Sequence, residues 1–151
     1  MSRTLGRTDG TSDTSAANPG VSPPRMSGIG RVLVIVYAVM ALAATGRSFV
    51  QIVRSFDEAP LAYTLSAVAA GVYILATLAL VFAGSRTWYR VAWIAISFEL
   101  LGVLVVGLLT FVLPSLFAHP TVWSWFGMGY LFIPLVLPVF GLWWLGTRRP
   151  T

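Results

Sequence analysis

The stretch Val91 to Leu113, VAWIAISFELLGVLVVGLLTFVL, is apolar almost throughout and carries one acid, Glu99, near its middle. About 20 apolar residues, each rising ~1.5 Å, match the ~30 Å hydrocarbon core of a bilayer, so a helix of this length crosses one. Glu99 then lies near the membrane midplane, where a carboxyl is costly and has a reason to be there. The rest of the chain has to account for it.

Composition agrees with lipid as the solvent. Of 151 residues, 57% are hydrophobic and 10% are charged; soluble domains carry about 25% charged residues to cover a water-facing surface. The length suits one compact unit. There is no Cys and one His, which removes disulfides, thiolate metal sites, cysteine nucleophiles and His-based metal clusters, so neither metal nor cofactor is expected. The ten basic residues are all Arg, and the formal charge is +5. That charge does not point to nucleic acid, because the Arg residues flank apolar stretches and act there as topology signals.

Taken in order, residues 1–28 are rich in Ser, Thr, Gly and Pro, lack apolar periodicity, and read as a disordered tail. Span 1 covers about residues 29–53. Its uninterrupted part, Val32 to Gly46, is short for a crossing, so the helix should continue past Arg47 through SFVQIV. Ala41 and Ala43 also fit a signal-peptide cleavage site, but the polar tail before them is long for one. Span 2 covers about 61–83 without a charge. Ala62, Ser66 and Ala70 recur on one face, with Tyr73 and Thr77 continuing it and Ala67/Gly71 forming a second small pair; such spacing lets helix backbones approach closely in lipid. Span 3 is 91–113. Its Ala92, Ala95, Glu99, Gly102, Val106 and Thr110 fall on one side, so Glu99 belongs to the packing face. Residues 115–125 form a short loop whose Trp123 and Trp125 should sit at headgroup level. Span 4, about 126–146, carries Gly127, Pro134, Pro138 and Gly141 on one side, and the two prolines predict a bent helix. Residues 148–151 close the chain.

Six Arg residues (Arg25, Arg31, Arg86, Arg90, Arg148, Arg149) flank one side of these spans, against Arg54 on the other. Both termini should therefore be cytoplasmic in a plasma-membrane protein. Short connections then imply an all-α, antiparallel up-down four-helix transmembrane bundle with a disordered N-terminal tail.

Three polar residues fall inside the spans: Arg47, Gln51 and Glu99. Arg47 lies ~23 Å along its helix from Val32, and Glu99 ~12 Å along its own from Val91, an ~11 Å difference in depth. Either the two pair directly or through water, or Arg47 reaches the headgroups while Glu99 is held protonated by Tyr73, Ser66, Thr77 or a carbonyl. Glu99 is then either a polar tie between helices or a working acid.

The runs ATGRSFVQIV, APLAYTLSAVAAGVYILAT and FGMGYLFIPLVLPVFGLWWL resemble small four-span integral membrane proteins of GC-rich actinobacteria, over roughly residues 30–146. That resemblance implies a plasma-membrane protein and no activity. Size and span number also resemble the small multidrug resistance exporters, but their glutamate is in the first span, so their function is not carried over. Hydrolytic triads, phosphate loops and dinucleotide fingerprints are missing from the sequence, and no enzyme is expected. Two classes remain. The first expectation is an accessory subunit meeting a membrane-protein partner or a second copy through its small-residue faces; the alternative is a small proton-coupled transporter using Glu99.

Overall fold

The computed structural model describes Met26 and residues 28–148. The expected disordered tail lies outside these residues, apart from Met26 and Gly28, the latter opening the first helix; so do residues 149–151. Among the described residues the chain is helical, without a strand. Helix α1 spans Gly28–Ser55, α2 Pro60–Val81, α3 Arg86–Val112 and α4 Ile133–Thr147.

Local chemistry sets these boundaries. Helix α1 does run past Arg47, because Ser48 turns inward while Phe49, Val50, Ile52 and Val53 face out. A 3-10 turn over Phe56–Glu58 follows. Pro60 then opens α2 at a position where its missing N–H has no helical partner anyway. Helix α3 starts five residues before the apolar run does, at Arg86. Ser85 caps it, its Oγ accepting from the Trp88 N–H at 3.3 Å. Pro114 stops it.

Helices α1, α2 and α3 are each long and apolar enough to cross a membrane. Large side chains such as Leu42, Phe49, Ile94 and Phe111 point outward from them, a surface suited to lipid rather than water. Each helix packs on the next in sequence. The turn after α1 and the connection after α3 lie at one end, called here the loop face; Gly28, the α2–α3 turn and Thr147 lie at the other, the termini face.

The fourth apolar stretch departs from the expected bent helix over 126–146. Residues Ser124–Tyr130 form a run of tight turns, and α4 covers only Ile133–Thr147, at 97° to that run. Fifteen helical residues reach ~22 Å, too short to cross alone. The break is not at the prolines. Pro134 sits at the start of α4 and the helix continues through Pro138. Instead, Trp125, Phe126, Leu131 and Phe132 adopt left-handed φ values of 53°, 58°, 56° and 59°, with Gly127 at 81°. Four bulky residues hold a conformation that costs each of them roughly 1–2 kcal/mol; Leu131 is 85% exposed, whereas Phe126 is held by packing.

That packing is identifiable. A Cβ built on Gly102 would lie 2.7 Å from the Trp123 ring, and one on Gly107 would lie 2.5 Å from the Phe126 ring. The two glycines of α3 are slots into which the segment before α4 inserts its aromatic rings. Trp123 is therefore buried and not in an aromatic belt, while Trp125 is partly exposed. The expected headgroup position of Trp123 is corrected by this slot. Gly102 is ten residues short of the end of α3, so Trp123 dips ~15 Å below the loop-face end. The segment enters from the loop face, turns at mid-depth, and continues as α4 to the termini face.

Candidate functional site

The interior stripe of α1 is Leu33, Tyr37, Met40, Ala41, Ala44 and Ser48, at the 3-4 spacing of one helix face. The stripe of α2 holds Ala62, Ser66, Ala70 and Tyr73, all buried. The stripe of α3 holds Ala92, Ala95, Glu99, Val106 and Thr110. The small residues bring the backbones close, as their spacing anticipates. The second small pair is not used in this way: Gly71 faces open space.

These stripes meet at Glu99, whose side chain is wholly buried. Its Oε2 accepts a hydrogen bond from the Tyr37 hydroxyl at 2.8 Å. Tyr73 interacts with the same carboxyl at longer range, and its ring lies 6.3 Å from that of Tyr37. The Tyr73 oxygen accepts from Trp123 Nε1 at 3.3 Å, which leaves the phenol its own proton to offer. Tyr130 is close enough to Tyr73 to act on it electrostatically. From the fourth side, α4 approaches at Gly141, where a Cβ would come within 3.2 Å of Ile96 and 3.5 Å of the Tyr37 oxygen. Every helix and the inserted segment thus touch one carboxyl group or the tyrosines around it. The other carboxyl oxygen, Oε1, has no hydrogen-bond partner among the described residues.

Arg47 does not supply one. Its Nη2 donates to the Pro120 carbonyl at 2.7 Å, so the direct Arg47–Glu99 pair considered from sequence does not form. The depth difference between the two residues stands, and a backbone acceptor lies nearer to hand. Gln51 is half-buried one turn further out, its Oε1 unpaired. His119 Nε2 stands 3.5 Å from Glu58 Oε2, an ion pair when the imidazole carries its proton, and the ring stacks on Tyr63 at 5.9 Å. The loop before Trp123 is therefore tied to the ends of α1 and α2 by Arg47, Glu58 and Tyr63. Sequence reasoning placed His119 in a loop but had no means of finding these contacts.

Two measurements follow. Because Arg47 and Glu99 have separate partners, Arg47→Gln and Glu99→Gln should lower stability additively, to within about 0.3–0.5 kcal/mol, in a detergent unfolding assay. Recovery in the double variant would restore the pair. Tyr37→Phe removes the one hydrogen-bond donor on Oε2 and should cost about 1–3 kcal/mol, the range for stranding a buried polar group. Tyr89→Phe, which loses a half-buried bond to the Leu145 carbonyl, should cost less in the same assay.

No group of three or more His, Cys, Asp or Glu gathers around a common point among the described residues. A groove of about 850 Å³ lies between α1 and α4, walled by Leu33, Val36, Ile133, Leu137 and Phe140. Its lining is apolar and offers no directional contact. Among the described residues Glu99 is the fully buried carboxyl. Searched against protein-family models, curated proteins and solved structures, the chain matches none.

Proposed function

We propose that this chain is a small multi-pass membrane protein that binds and releases a proton at Glu99, as the coupling acid of a carrier. The observation that carries the reading is the state of the carboxyl. It is fully buried in the chain's own bundle, held by a tyrosine on one oxygen, and unpaired on the other. Among the described residues no cation balances it. Ionisable groups kept at membrane depth are expensive and mark relays and transport paths. The broken fourth stretch beside it supports the same reading, because discontinuous helices build binding sites in carriers.

Counting the bent pair as one broken span gives four crossings with both termini on one side. The Arg distribution favours the cytoplasm for that side and the plasma membrane as the location. The accessory-subunit reading has less support than it had from sequence alone. Its basis was the small-residue faces, and Ala62, Ser66, Ala70 and Gly102 are used inside the chain.

Infrared difference spectra of the protein in lipid, between acid and alkaline buffer, test this. A protonated-carboxyl carbonyl band should appear and vanish with pH, and Glu99→Gln should abolish it. An unchanged spectrum in the variant overturns the proposal. Co-purification of a stoichiometric larger complex in mild detergent would return the chain to the accessory reading.

A further inference from the structure

The buried polar groups that lack partners are not scattered through the bundle. Among the described residues they are Glu99 Oε1, Ser66 Oγ, Ser48 Oγ, Gln51 Oε1 and Arg47 Nε. All but Glu99 lie between Glu99 and the loop face. On α2, Ser66 is seven residues from Tyr73 toward that face, ~10 Å. On α1, Ser48 is eleven residues from Tyr37 in the same direction, ~16 Å, and Gln51 lies ~21 Å out. Ser48 and Ser66 sit on the same interior stripes as the two tyrosines.

Hydroxyls in membrane helices normally bond a carbonyl of their own helix one turn back. Thr77 and Thr110 do so here, to Tyr73 and Val106, each at 2.7 Å. Ser48 and Ser66 do not, though they are 4% and 0% exposed. Buried polar atoms without a protein partner are satisfied by ordered water. Between the levels of these groups α1 and α2 carry mostly alanine, Ala41 and Ala44 on α1 and Ala69 and Ala70 on α2; Met40 on α1 and Val103 and Val106 on α3 are the larger side chains.

Among the described residues the opposite direction has no such atoms. From Glu99 to the termini face the stripes present Leu33, Leu80 and Ile96 beside Ala76, Ala79, Ala92 and Ala95, all buried and none with a polar side chain. The Tyr89 hydroxyl is satisfied by the Leu145 carbonyl at 2.8 Å.

We propose that Ser66, Ser48, Gln51 and Arg47 line a one-sided water path through which Glu99 exchanges its proton with the compartment at the loop face, the termini face being closed to protons. The proposal rests on the proton-binding role of Glu99. The ligands are water and the proton, held by the orphaned oxygens in steps from mid-depth to the surface. Groups facing the carboxyl are Tyr37 on α1 and Tyr73 on α2, with Trp123 and Tyr130 of the inserted segment behind Tyr73; Arg47 stands at the mouth, held by Pro120.

The test uses proton-tight liposomes holding the full chain, sorted on a C-terminal tag so that the termini face outward. Dicyclohexylcarbodiimide crosses lipid and adds to a protonated carboxyl: the carboxyl proton passes to a carbodiimide nitrogen as the oxygen bonds to its central carbon. Mass spectrometry of the Glu99 peptide reads the adduct. Labelling should fall several-fold when the internal, loop-face pH is raised, and stay constant when the external pH is raised. Labelling that follows the external pH, or both equally, overturns the one-sided path while leaving the proton-binding role intact. Labelling independent of pH on both sides overturns that role as well. The second arm is hydrogen–deuterium exchange of the carboxyl, read by infrared. Ser48→Val with Ser66→Val should slow it at least tenfold while leaving thermal stability equal or higher, since the change removes orphaned groups. Ser48→Ala with Ser66→Ala serves if the larger side chains disturb folding. Unchanged exchange in a folded variant overturns the path.

Discussion

Gly102→Leu should expel Trp123 from the bundle and destabilise the protein by about 2–4 kcal/mol. Overpacking of a filled site costs roughly 1–3 kcal/mol. A side chain on Gly102 would begin 2.7 Å from a rigid indole that packs T-shaped on Phe98 and is itself buried. Expulsion also breaks the Trp123–Tyr73 hydrogen bond, worth about 0.6 kcal/mol on the average for membrane interiors. The chain has no cysteine, so a single Val122→Cys reporter gives a clean readout. Val122 is 1% exposed, and a thiol there should react slowly in the parent and rapidly once Gly102→Leu is added. Gly71→Leu is the control, because a side chain on Gly71 meets nothing within 4 Å. Equal stability losses at the two glycines would mean that Trp123 does not occupy the slot.

Gly127→Val should be as damaging for a different reason. Gly127 has φ +81°, and its missing Cβ would lie 2.7–2.8 Å from three atoms of the Pro134 ring. The left-handed backbone costs an L-residue about 1–2 kcal/mol, and a proline ring cannot rotate away. Together with overpacking, this predicts a loss of about 2–5 kcal/mol. The loss should centre on the start of α4, so amide exchange should quicken at Leu135 and Val136, whose N–H groups bond the Phe132 carbonyl at 3.1 Å. Gly129→Ala, with open space around it, should change little. If Gly129→Ala matched Gly127→Val, the effect would come from general glycine loss in the segment and not from the contact with Pro134.

The difference between what the sequence revealed and what it hid follows from range. An apolar run long enough to cross lipid reports its own helix, so α1, α2 and α3 were legible, and spacing along α3 put Glu99 on the packing face. The fourth stretch, FGMGYLFIPLVLPVF, is as apolar as the others, and apolarity measures length without specifying conformation. Its left-handed residues include Trp125, Phe126, Leu131 and Phe132, types that give no turn signal of their own. The slots that seat the segment are glycines about twenty residues earlier in the chain, Gly107 for Phe126 and Gly102 for Trp123. Trp123 was read as a belt residue because tryptophans near a loop generally are; only the position of Gly102 opposite shows otherwise. For Arg47 the depth arithmetic anticipated a difficulty with Glu99. Its acceptor is a backbone carbonyl at Pro120, and no side-chain pattern marks a carbonyl. Of the tyrosines around Glu99, spacing along α2 made Tyr73 a candidate partner, but it is Tyr37, on the interior face of α1, that bonds the carboxyl.

The abbreviated α4 bears on how the protein is made. A segment entering a membrane from the insertion machinery must satisfy its backbone by itself, and a continuous helix does this at once. Helices α1, α2 and α3 meet that condition independently. The segment from Ser124 to Phe132 does not, since its turns leave amides and carbonyls unpaired along a helical ladder until neighbours surround them. Its conformation comes from aromatic rings seated against Gly102 and Gly107, so the cradle has to exist first. Biogenesis is thus ordered: three helices form a groove, and the last quarter of the chain is fitted into it after α3 is made. A substitution that fills the groove would act during assembly, and its first symptom would be degradation of newly made chains rather than melting of finished ones.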